Sequence, residues 1–260
     1  MDKRKWLKEL VYGILAGFCI GLGGTFLLST NAVAGGDPVL MKVFGALFFT
    51  IGLFTICERG YNLFTGKVCY VFDNKPKYLI FLLVVWVGNL LGTMLIAFIL
   101  RCTSVNDVIQ PVAAAMVDTK MSDLNDNFAL RLLSLFCLGI VCDVFIFIAV
   151  NGYAKSKFQM GKYLSLIFGV TCFIVCGTEH SIADMYYWCM SGRLYTNFGK
   201  SILCILVITL GNSVGGFLFP MLEKFIGNYK KKEEAKPAEV KEEKTEEPVE
   251  ELDAETKENA

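Results

Sequence analysis

The sequence is poor in histidine, with 1 among 260 residues, at position 180. It has 10 cysteines, but no two of them have the Cys-x-x-Cys spacing. They lie mostly in apolar stretches, where cysteine acts as a small packing residue, so neither a disulfide framework nor a metal site is predicted. Cys176 precedes His180 by one helical turn, but two candidate ligands do not make a zinc site. No cofactor is expected.

Charged residues are scarce within the long apolar stretches, and 54% of the chain is hydrophobic. The mean hydropathy is +0.51. These values exclude an ordinary soluble globule and predict a polytopic protein that has the lipid bilayer as its surroundings and no nucleic-acid partner. The formal net charge of zero hides an asymmetry. Residues 230–260 contain 12 acidic and 7 basic residues, which leaves the preceding body with a net positive charge.

Six apolar runs are long enough to cross a membrane as helices: about residues 10–29, 39–57, 78–100, 128–150, 163–190 and 202–219. Lysines are concentrated before the first run, after the second and fourth, and after the sixth. This pattern predicts that both termini are cytoplasmic in a multi-pass protein of the plasma membrane. We expect a cytoplasmic N-terminal segment (1–9), a channel domain (10–228) and a disordered charged tail (229–260), with residues 101–127 forming an outer polar segment.

A cleaved signal peptide is the alternative for the first run, because Ala32-Val33-Ala34 has the form of a cleavage site. The run of about 20 residues is longer than the ~7–15 apolar residues of a signal peptide, so a retained helix is favoured. Its five glycines predict a small-residue face for close helix packing: Gly13, Gly17, Gly21, Gly23 and Gly24.

Two of the runs are interrupted by polar residues and glycine. The second run meets Glu58-Arg59-Gly60-Tyr61-Asn62, and the fifth run meets Gly177-Thr178-Glu179-His180-Ser181. Irregular backbone at membrane depth is tolerated only where it is buried in protein or lines a cavity, so each break predicts a functional region. The alternative for the first break is a helix that ends at Cys57 and continues as a wetted loop.

The third and sixth runs both contain Gly-Asn-x-x-Gly, at Gly88–Gly92 and Gly211–Gly215. Each half therefore has the order helix, broken helix, helix. Because three spans per half reverse the orientation, an inverted 3+3 repeat is predicted, with a transport pathway near the midplane. Simple helix packing is the alternative explanation of the Gly-Asn-x-x-Gly motif taken alone.

His180 is a candidate functional residue because an ionisable side chain within a membrane is costly unless it faces a cavity or a partner. Imidazole also exchanges protons near neutral pH. The alternative is a packed histidine at a helix end that bonds a backbone carbonyl. Asp184 follows by four residues and would share its helix face, where an ionised carboxylate would favour imidazolium and repel an anion.

The motif Glu179-His180-Ser181-Ile182-Ala183, with Met185, resembles a signature of the formate/nitrite transporter family. The likeness extends over about residues 10–226. Further matching stretches are Leu63-Phe64-Thr65-Gly66, Phe49 to Leu53, and Cys137-Leu138-Gly139-Ile140. The resemblance implies an all-α, aquaporin-like protomer with six transmembrane helices, of which helices 2 and 5 are broken. It also implies a homopentamer with one pore in each protomer.

The resemblance further implies roles for individual residues. Phe49, Leu53 and Phe173 would form an outer constriction. An inner constriction would comprise Leu63, Phe64 and Ile146. Thr65 and His180 would face the chamber between them. Lys120 would be a vestibule lysine that attracts anions, with Arg131 as a rival and a solvated loop lysine as the alternative. Asp184 and Asp143 depart from the family, which has Asn at these positions.

The predicted function is a channel or transporter for small monovalent anions of weak acids, with formate as the first candidate and proton transfer through His180. Nitrite and hydrosulfide are alternatives within the same family. A neutral-solute channel is an alternative of another class, but the paired Asn-Pro-Ala loops expected of it are absent. An enzyme is not predicted, because the lone histidine has no serine or cysteine nucleophile in a recognisable motif.

Overall fold

The computed structural model describes residues 3–33 and 36–234, with side chains to residue 227. This part of the chain contains ten α-helices and one 3₁₀ turn, Val71–Asp73. The helices are α1 (Lys3–Asn31), α2 (Pro38–Arg59), α3 (Phe64–Val68), α4 (Tyr78–Arg101), α5 (Val105–Met121), α6 (Phe128–Lys155), α7 (Gln159–Val175), α8 (Ser181–Ser191), α9 (Arg193–Thr196) and α10 (Phe198–Glu234).

The chain divides into two compact units, Met1–Lys224 and Phe225–Ala260. The first unit holds the helical bundle. In the second unit, the described backbone continues α10 to Glu234, past the predicted start of the tail at 229. The remainder of the predicted disordered tail, residues 235–260, lies outside the described residues, as does Ala34 of the candidate cleavage site.

Within the described residues, five helices are long and apolar enough to cross a membrane: α1, α2, α4, α6 and α10. The prediction of a helical membrane-spanning protein agrees with this. The fifth predicted span is divided between α7, with 17 residues, and α8, with 11. Neither of these two helices reaches the ~20 residues that a full crossing requires.

Glycines allow the long helices to pack with their backbones in contact. The predicted small-residue face of α1 is buried, and a Cβ added at Gly13 would lie 3.1 Å from Gly88 Cα of α4. Gly139 of α6 has the equivalent relation to α10, where an added Cβ would lie 3.2 Å from Gly211 Cα. Close approach of this kind replaces the hydrophobic driving force that lipid does not supply between helices.

Most of the predicted outer polar segment, residues 101–127, is the helix α5, for which no helix was predicted. Its buried residues recur every fourth position, at Ile109, Ala113, Val117 and Met121, and form one apolar stripe. This stripe packs on α8. Pro111 lies in α5 on its exposed side, where the missing amide is not buried.

Helix α8 lies at the centre of the bundle, since all of its residues from Ser181 to Ser191 are buried. It contacts α1, α4 and α5. A helix that is buried on every side is a core element, and here it holds the histidine motif at its N-terminus. The bundle therefore fixes that motif from several directions.

The helix contacts predict that Gly92→Ala destabilises the protein, because a Cβ at Gly92 would collide with the Ile14 carbonyl oxygen and lie 2.7 Å from Phe18 N. Overpacking of this kind costs about 1–3 kcal/mol, or more where backbone must move. Thermal unfolding in detergent measures the effect. Gly199→Ala is the control, since a Cβ there meets no atom within 4 Å. Equal melting temperatures for the two variants would contradict the packing argument.

Candidate functional site

His180 is the N-cap residue of α8, and 3% of its surface is exposed. Its Nδ1 accepts a hydrogen bond from the Ala183 amide at 3.1 Å, and its Nε2 lies 3.0 Å from Thr65 Oγ1. The ring stacks on Phe173 with a centroid separation of 5.5 Å. The predicted proximity of His180 and Thr65 is therefore present in the structure.

The hydrogen bonds fix the tautomer of the His180 ring. Because Nδ1 accepts from an N–H, the neutral ring carries its proton on Nε2 and donates it to Thr65 Oγ1. The alternative of a packed histidine at a helix end is correct about the location. It is wrong about the bond, since the ring accepts from a backbone amide and does not donate to a carbonyl. Protonation of Nδ1 would break the Ala183 bond.

Two buried asparagines hold the loops that precede α3 and α8. Asn89 Nδ2 donates to the carbonyls of Gly13 and Asn62 at 2.8 and 2.9 Å, while its Oδ1 accepts from Phe64 N at 2.8 Å. These are the asparagines of Gly-Asn-x-x-Gly. The first amide of α3 is thereby occupied by a protein oxygen.

Asn212 makes the same three bonds in the second half. Its Nδ2 donates to the carbonyls of Gly139 and Glu179, each at 2.8 Å, and its Oδ1 accepts from Ser181 N at 2.8 Å. Both loops also begin with a glycine at positive φ, Gly60 (68°) and Gly177 (69°). Leu63 in the first loop is therefore equivalent to His180 in the second loop, because each directly precedes its helix.

One face of the site opens into a cavity of about 180 Å³, the lysine cavity. Its wall includes Lys42, Lys120, Phe173, Glu179, His180 and Asp184. Lys42 Nζ donates to the Val175 carbonyl at 3.0 Å, at the end of α7. The cavity therefore brings two ammonium groups to the histidine side of the bundle.

Lys120 contacts both Glu179 and Asp184 through its ammonium group. Its side chain is 14% exposed, and it lies 5.7 Å from the Tyr187 ring centroid. The alternative of a solvated loop lysine is therefore wrong. Arg131, the rival, bonds the Ser122 carbonyl at 2.9 Å and does not line the lysine cavity.

Asp184 is nearly sealed from solvent, and its Oδ2 has no hydrogen-bond partner among the described residues. Asp184 was expected to favour imidazolium at His180, but its Oδ1 accepts a hydrogen bond from Lys120. With both carboxylates ionised, the Lys120 cluster (Lys120, Glu179 and Asp184) carries one net negative charge. The protonation state of the Lys120 cluster therefore sets the electrostatic potential in the lysine cavity.

A second cavity of about 230 Å³, the tyrosine cavity, lies against the first loop. Its wall includes Leu53, Leu63, Gly66, Tyr70, Val150 and Tyr153. Leu53, predicted in the outer constriction with Phe49 and Phe173, thus borders the tyrosine cavity. The rings of Phe49 and Phe173 contact each other edge to face, with their centroids 6.0 Å apart.

Two residues predicted for the inner constriction are placed differently. Phe64 lines a lateral cavity between α4 and α10, and Ile146 is buried in α6 without lining the tyrosine cavity. Glu58 and Arg59 are exposed at the end of α2, whereas Asn62 to Gly66 are buried. The first break therefore has two parts, an exposed turn at the end of α2 and a buried loop after it.

Asp143 of α6 is fully buried, and neither of its oxygens has a partner among the described residues. It lies against Gly216 of α10 and is not among the residues that line either cavity. Within the described part of the chain, no group of three His, Cys, Asp or Glu residues is placed to hold a metal ion.

Sequence reasoning missed four residues of the site. Lys42 could have been noticed as the lysine inside the second apolar run, and Glu179 as the acid before the histidine. Asn89 and Asn212 were visible in the Gly-Asn-x-x-Gly motif, but only as a mark of the repeat or of close helix packing. Their role as clamps depends on contacts between distant segments, which spacing alone does not indicate.

Outside the proposed pathway, Arg193 forms two bonds of 2.7 Å with Asp118 of α5. The guanidinium lowers the pKa of the Asp118 carboxyl below its ordinary value. This exposed pair joins α5 to α9, beside the lysine cavity. A surface pair of this kind contributes little stability, so α5 is held mainly by its apolar stripe.

The asparagine clamps predict that Asn89→Ala and Asn212→Ala are similarly destabilising. Each change leaves one amide and one loop carbonyl buried without partners, at about 1–3 kcal/mol per group, while the helical carbonyl of Gly13 or Gly139 loses a second bond. Chemical unfolding measures the cost. Asn151→Ala is the control, since the side chain of Asn151 in α6 has no hydrogen-bond partner within the described residues. A loss in the clamp variants no larger than in Asn151→Ala would contradict the clamp role.

The Lys120 cluster predicts that Lys120→Met destabilises strongly, by about 3–5 kcal/mol, because it leaves two buried carboxylates without their cation. The triple variant Lys120→Met/Glu179→Gln/Asp184→Asn should recover most of this loss. Unfolding midpoints provide the comparison. Lys155→Met is the control, because its partner Glu223 lies 4.0 Å away and both side chains are exposed. Failure of the triple variant to recover stability would refute the charge-balance explanation.

The chain is similar to known proteins over most of its length. The formate/nitrite transporter family model matches residues 2–226. A probable formate transporter of Methanothermobacter thermautotrophicus is 28% identical, over 82% of this chain and 85% of the relative. The formate channel FocA of Haemophilus influenzae is 25% identical, over 83% and 84%.

Solved structures show the same fold. A structure described as a pentameric formate channel with formate bound aligns with a TM-score of 0.75 at 25% identity, covering 88% of this chain and 100% of that one. An FNT family ion channel aligns at 0.72 with 22% identity, covering 85% and 90%. With the family model matched from the first helix to the last, the chain belongs to the formate/nitrite transporter family.

Proposed function

We propose that the protein is a channel for small monovalent anions of weak acids, with formate as the first substrate. The observation that carries the proposal is the contact of His180 with Thr65, placed where two buried loops meet. His180 lines the lysine cavity, and Leu63 of the other loop lines the tyrosine cavity. Relatives named as formate channels and formate transporters support the choice of formate.

We propose an inverted 3+3 repeat in which α2 with α3 forms the second span and α7 with α8 the fifth. The matched bonds of Asn89 and Asn212 support this arrangement, since each clamps the loop of its own half. Lysines near the ends of α1 and α10 support cytoplasmic termini in a plasma-membrane protein. The pentameric relative supports a homopentamer with a pore in each protomer.

An anion entering from outside would first meet Lys42 and Lys120. The lysine cavity then narrows at Phe173 and Phe49, where a bare anion would lose its water at a high cost. His180 and Thr65 offer hydrogen bonds at this point. Beyond them, Leu53 and Leu63 border the tyrosine cavity, which would lead to the cytoplasm.

A proton lowers the cost of the apolar passage. Imidazolium at His180 would transfer the proton of Nε2 to a formate oxygen, leaving formic acid and a neutral ring that carries its remaining proton on Nδ1. The resting tautomer returns when Nε2 is reprotonated and Nδ1 gives up its proton, which re-forms the Ala183 bond. The acid crosses the apolar segment and releases its proton in the tyrosine cavity, and His180 takes up another proton from the lysine cavity. One proton thus travels with each formate. Because protonation of Nδ1 costs the Ala183 bond, this route is favoured at acidic pH.

The Lys120 cluster would adjust this step. With both carboxylates ionised, its net negative charge opposes the approach of an anion. One proton shared between Glu179 and Asp184 makes the cluster neutral. Acidic conditions outside would therefore favour both anion entry and protonation at the histidine.

The mechanism predicts that formate flux into proteoliposomes increases from neutral to acidic pH in the wild type, and that His180→Asn weakens this dependence to the part that the Lys120 cluster contributes. Asparagine suits the test because it is a strong N-cap residue, so it can still accept from Ala183 N without titrating near neutral pH. Equal melting temperatures serve as the folding control. Parallel runs with nitrite and hydrosulfide identify the preferred anion. An unchanged pH dependence in His180→Asn would remove the proton role.

A further inference from the structure

A lateral groove of about 720 Å³ lies between α4 and α10, and His180 is not part of its lining. Its lining is almost entirely apolar, with side chains from the short helix and turn after the first loop as well as from the two long helices. They include Phe72, Leu79, Leu83, Trp86, Leu206 and Phe217. Phe72 and Phe217 close one end of it edge to face, with ring centroids 5.0 Å apart.

The groove continues into a second hollow of about 810 Å³, the basic pocket. The two share Asn74, Lys75 and Tyr78 in their walls. The basic pocket also contains Lys5 and Lys77, with Trp6 and Phe81 as aromatic neighbours. One continuous depression therefore changes from hydrocarbon-like to cationic along its length.

The lysines of the basic pocket are not neutralised. Among the described residues, Lys5, Lys75 and Lys77 have no ion-pair partner. Of the two acids in the same wall, Asp73 pairs with Lys224, whereas Glu9 accepts a hydrogen bond from the neutral Asn62 amide at 2.7 Å and keeps its charge, so the three lysines outnumber it. The pocket thus presents an uncompensated positive charge.

We propose that the groove and the basic pocket together bind an anionic phospholipid, with its acyl chain along α4 and α10 and its phosphate among Lys5, Lys75 and Lys77. Charge complementarity and the apolar continuation favour this ligand over a soluble anion. Tyr78 lies at the boundary of the two regions and Trp6 lines the basic pocket, and amphipathic rings of this kind suit the headgroup level of a bilayer. Basic pockets between helices are typical headgroup sites.

Native mass spectrometry of the full-length protein tests the proposal with phosphatidylglycerol and phosphatidylcholine as probes. The wild type should retain phosphatidylglycerol preferentially. Lys5→Gln/Lys75→Gln/Lys77→Gln should weaken its retention by about fivefold per lysine, roughly a hundredfold in all, and leave phosphatidylcholine unaffected. Lys155→Gln/Lys157→Gln/Lys162→Gln removes the same charge from another loop and should change neither lipid.

Leu83→Trp separates the apolar part from the charged part. It narrows the groove with all three lysines retained, so it should weaken the binding of both lipids. Equal retention of the two lipids by the wild type would overturn the proposal. An equal loss in the control triple variant would also overturn it, as would a map of the protein in nanodiscs with a neighbouring protomer filling the groove.

Discussion

The carboxamide of an asparagine that bridges a broken stretch of backbone is the interaction on which the rest of the structure depends. A loop inside an apolar bundle exposes amides and carbonyls that neither water nor lipid can satisfy. Asn89 and Asn212 supply two donors and one acceptor each, directed at both sides of one loop residue. Without these bonds, the residue between them could not be held in extended conformation at the centre of the protein. The residues so held are Leu63 and His180.

The clamp explains how one titratable ring can be fixed without a charged partner. His180 is surrounded by a backbone amide, a threonine hydroxyl and a phenyl face, all of which are neutral. The charges lie one step away, in the cluster of Lys120 with Glu179 and Asp184. This separation leaves the imidazole neutral at rest, while the electrostatic potential of the cavity before it depends on protonation. Asp184 is the second carboxylate of the cluster, and with Glu179 it gives the ionised cluster its net negative charge.

Much of this arrangement could be predicted from local pattern. The order of break and Gly-Asn-x-x-Gly is readable from spacing, and the cost of a buried histidine marks the site. Helix α5 was not predicted because its apolar stripe, Ile109 to Met121, is diluted by charged residues and Pro111. The Lys120 cluster joins residues separated by 59 and 64 positions, and no periodicity connects them. Helix α5 and the Lys120 cluster depend on contacts between distant segments. A single sequence shows no pattern for such contacts.

The position of Asn212 has a consequence for how the chain is assembled. Helix α8 covers about 16 Å at 1.5 Å per residue, roughly half of the ~30 Å hydrocarbon thickness. Alone, α8 is therefore too short to cross a bilayer. The amide of Ser181 and the carbonyl of Glu179 must then wait for α10, the last long helix to be synthesised, to deliver their partner. The loop that holds His180 thus acquires its clamp last, and a ribosome stalled before α10 would leave a chain in which this loop is not yet held.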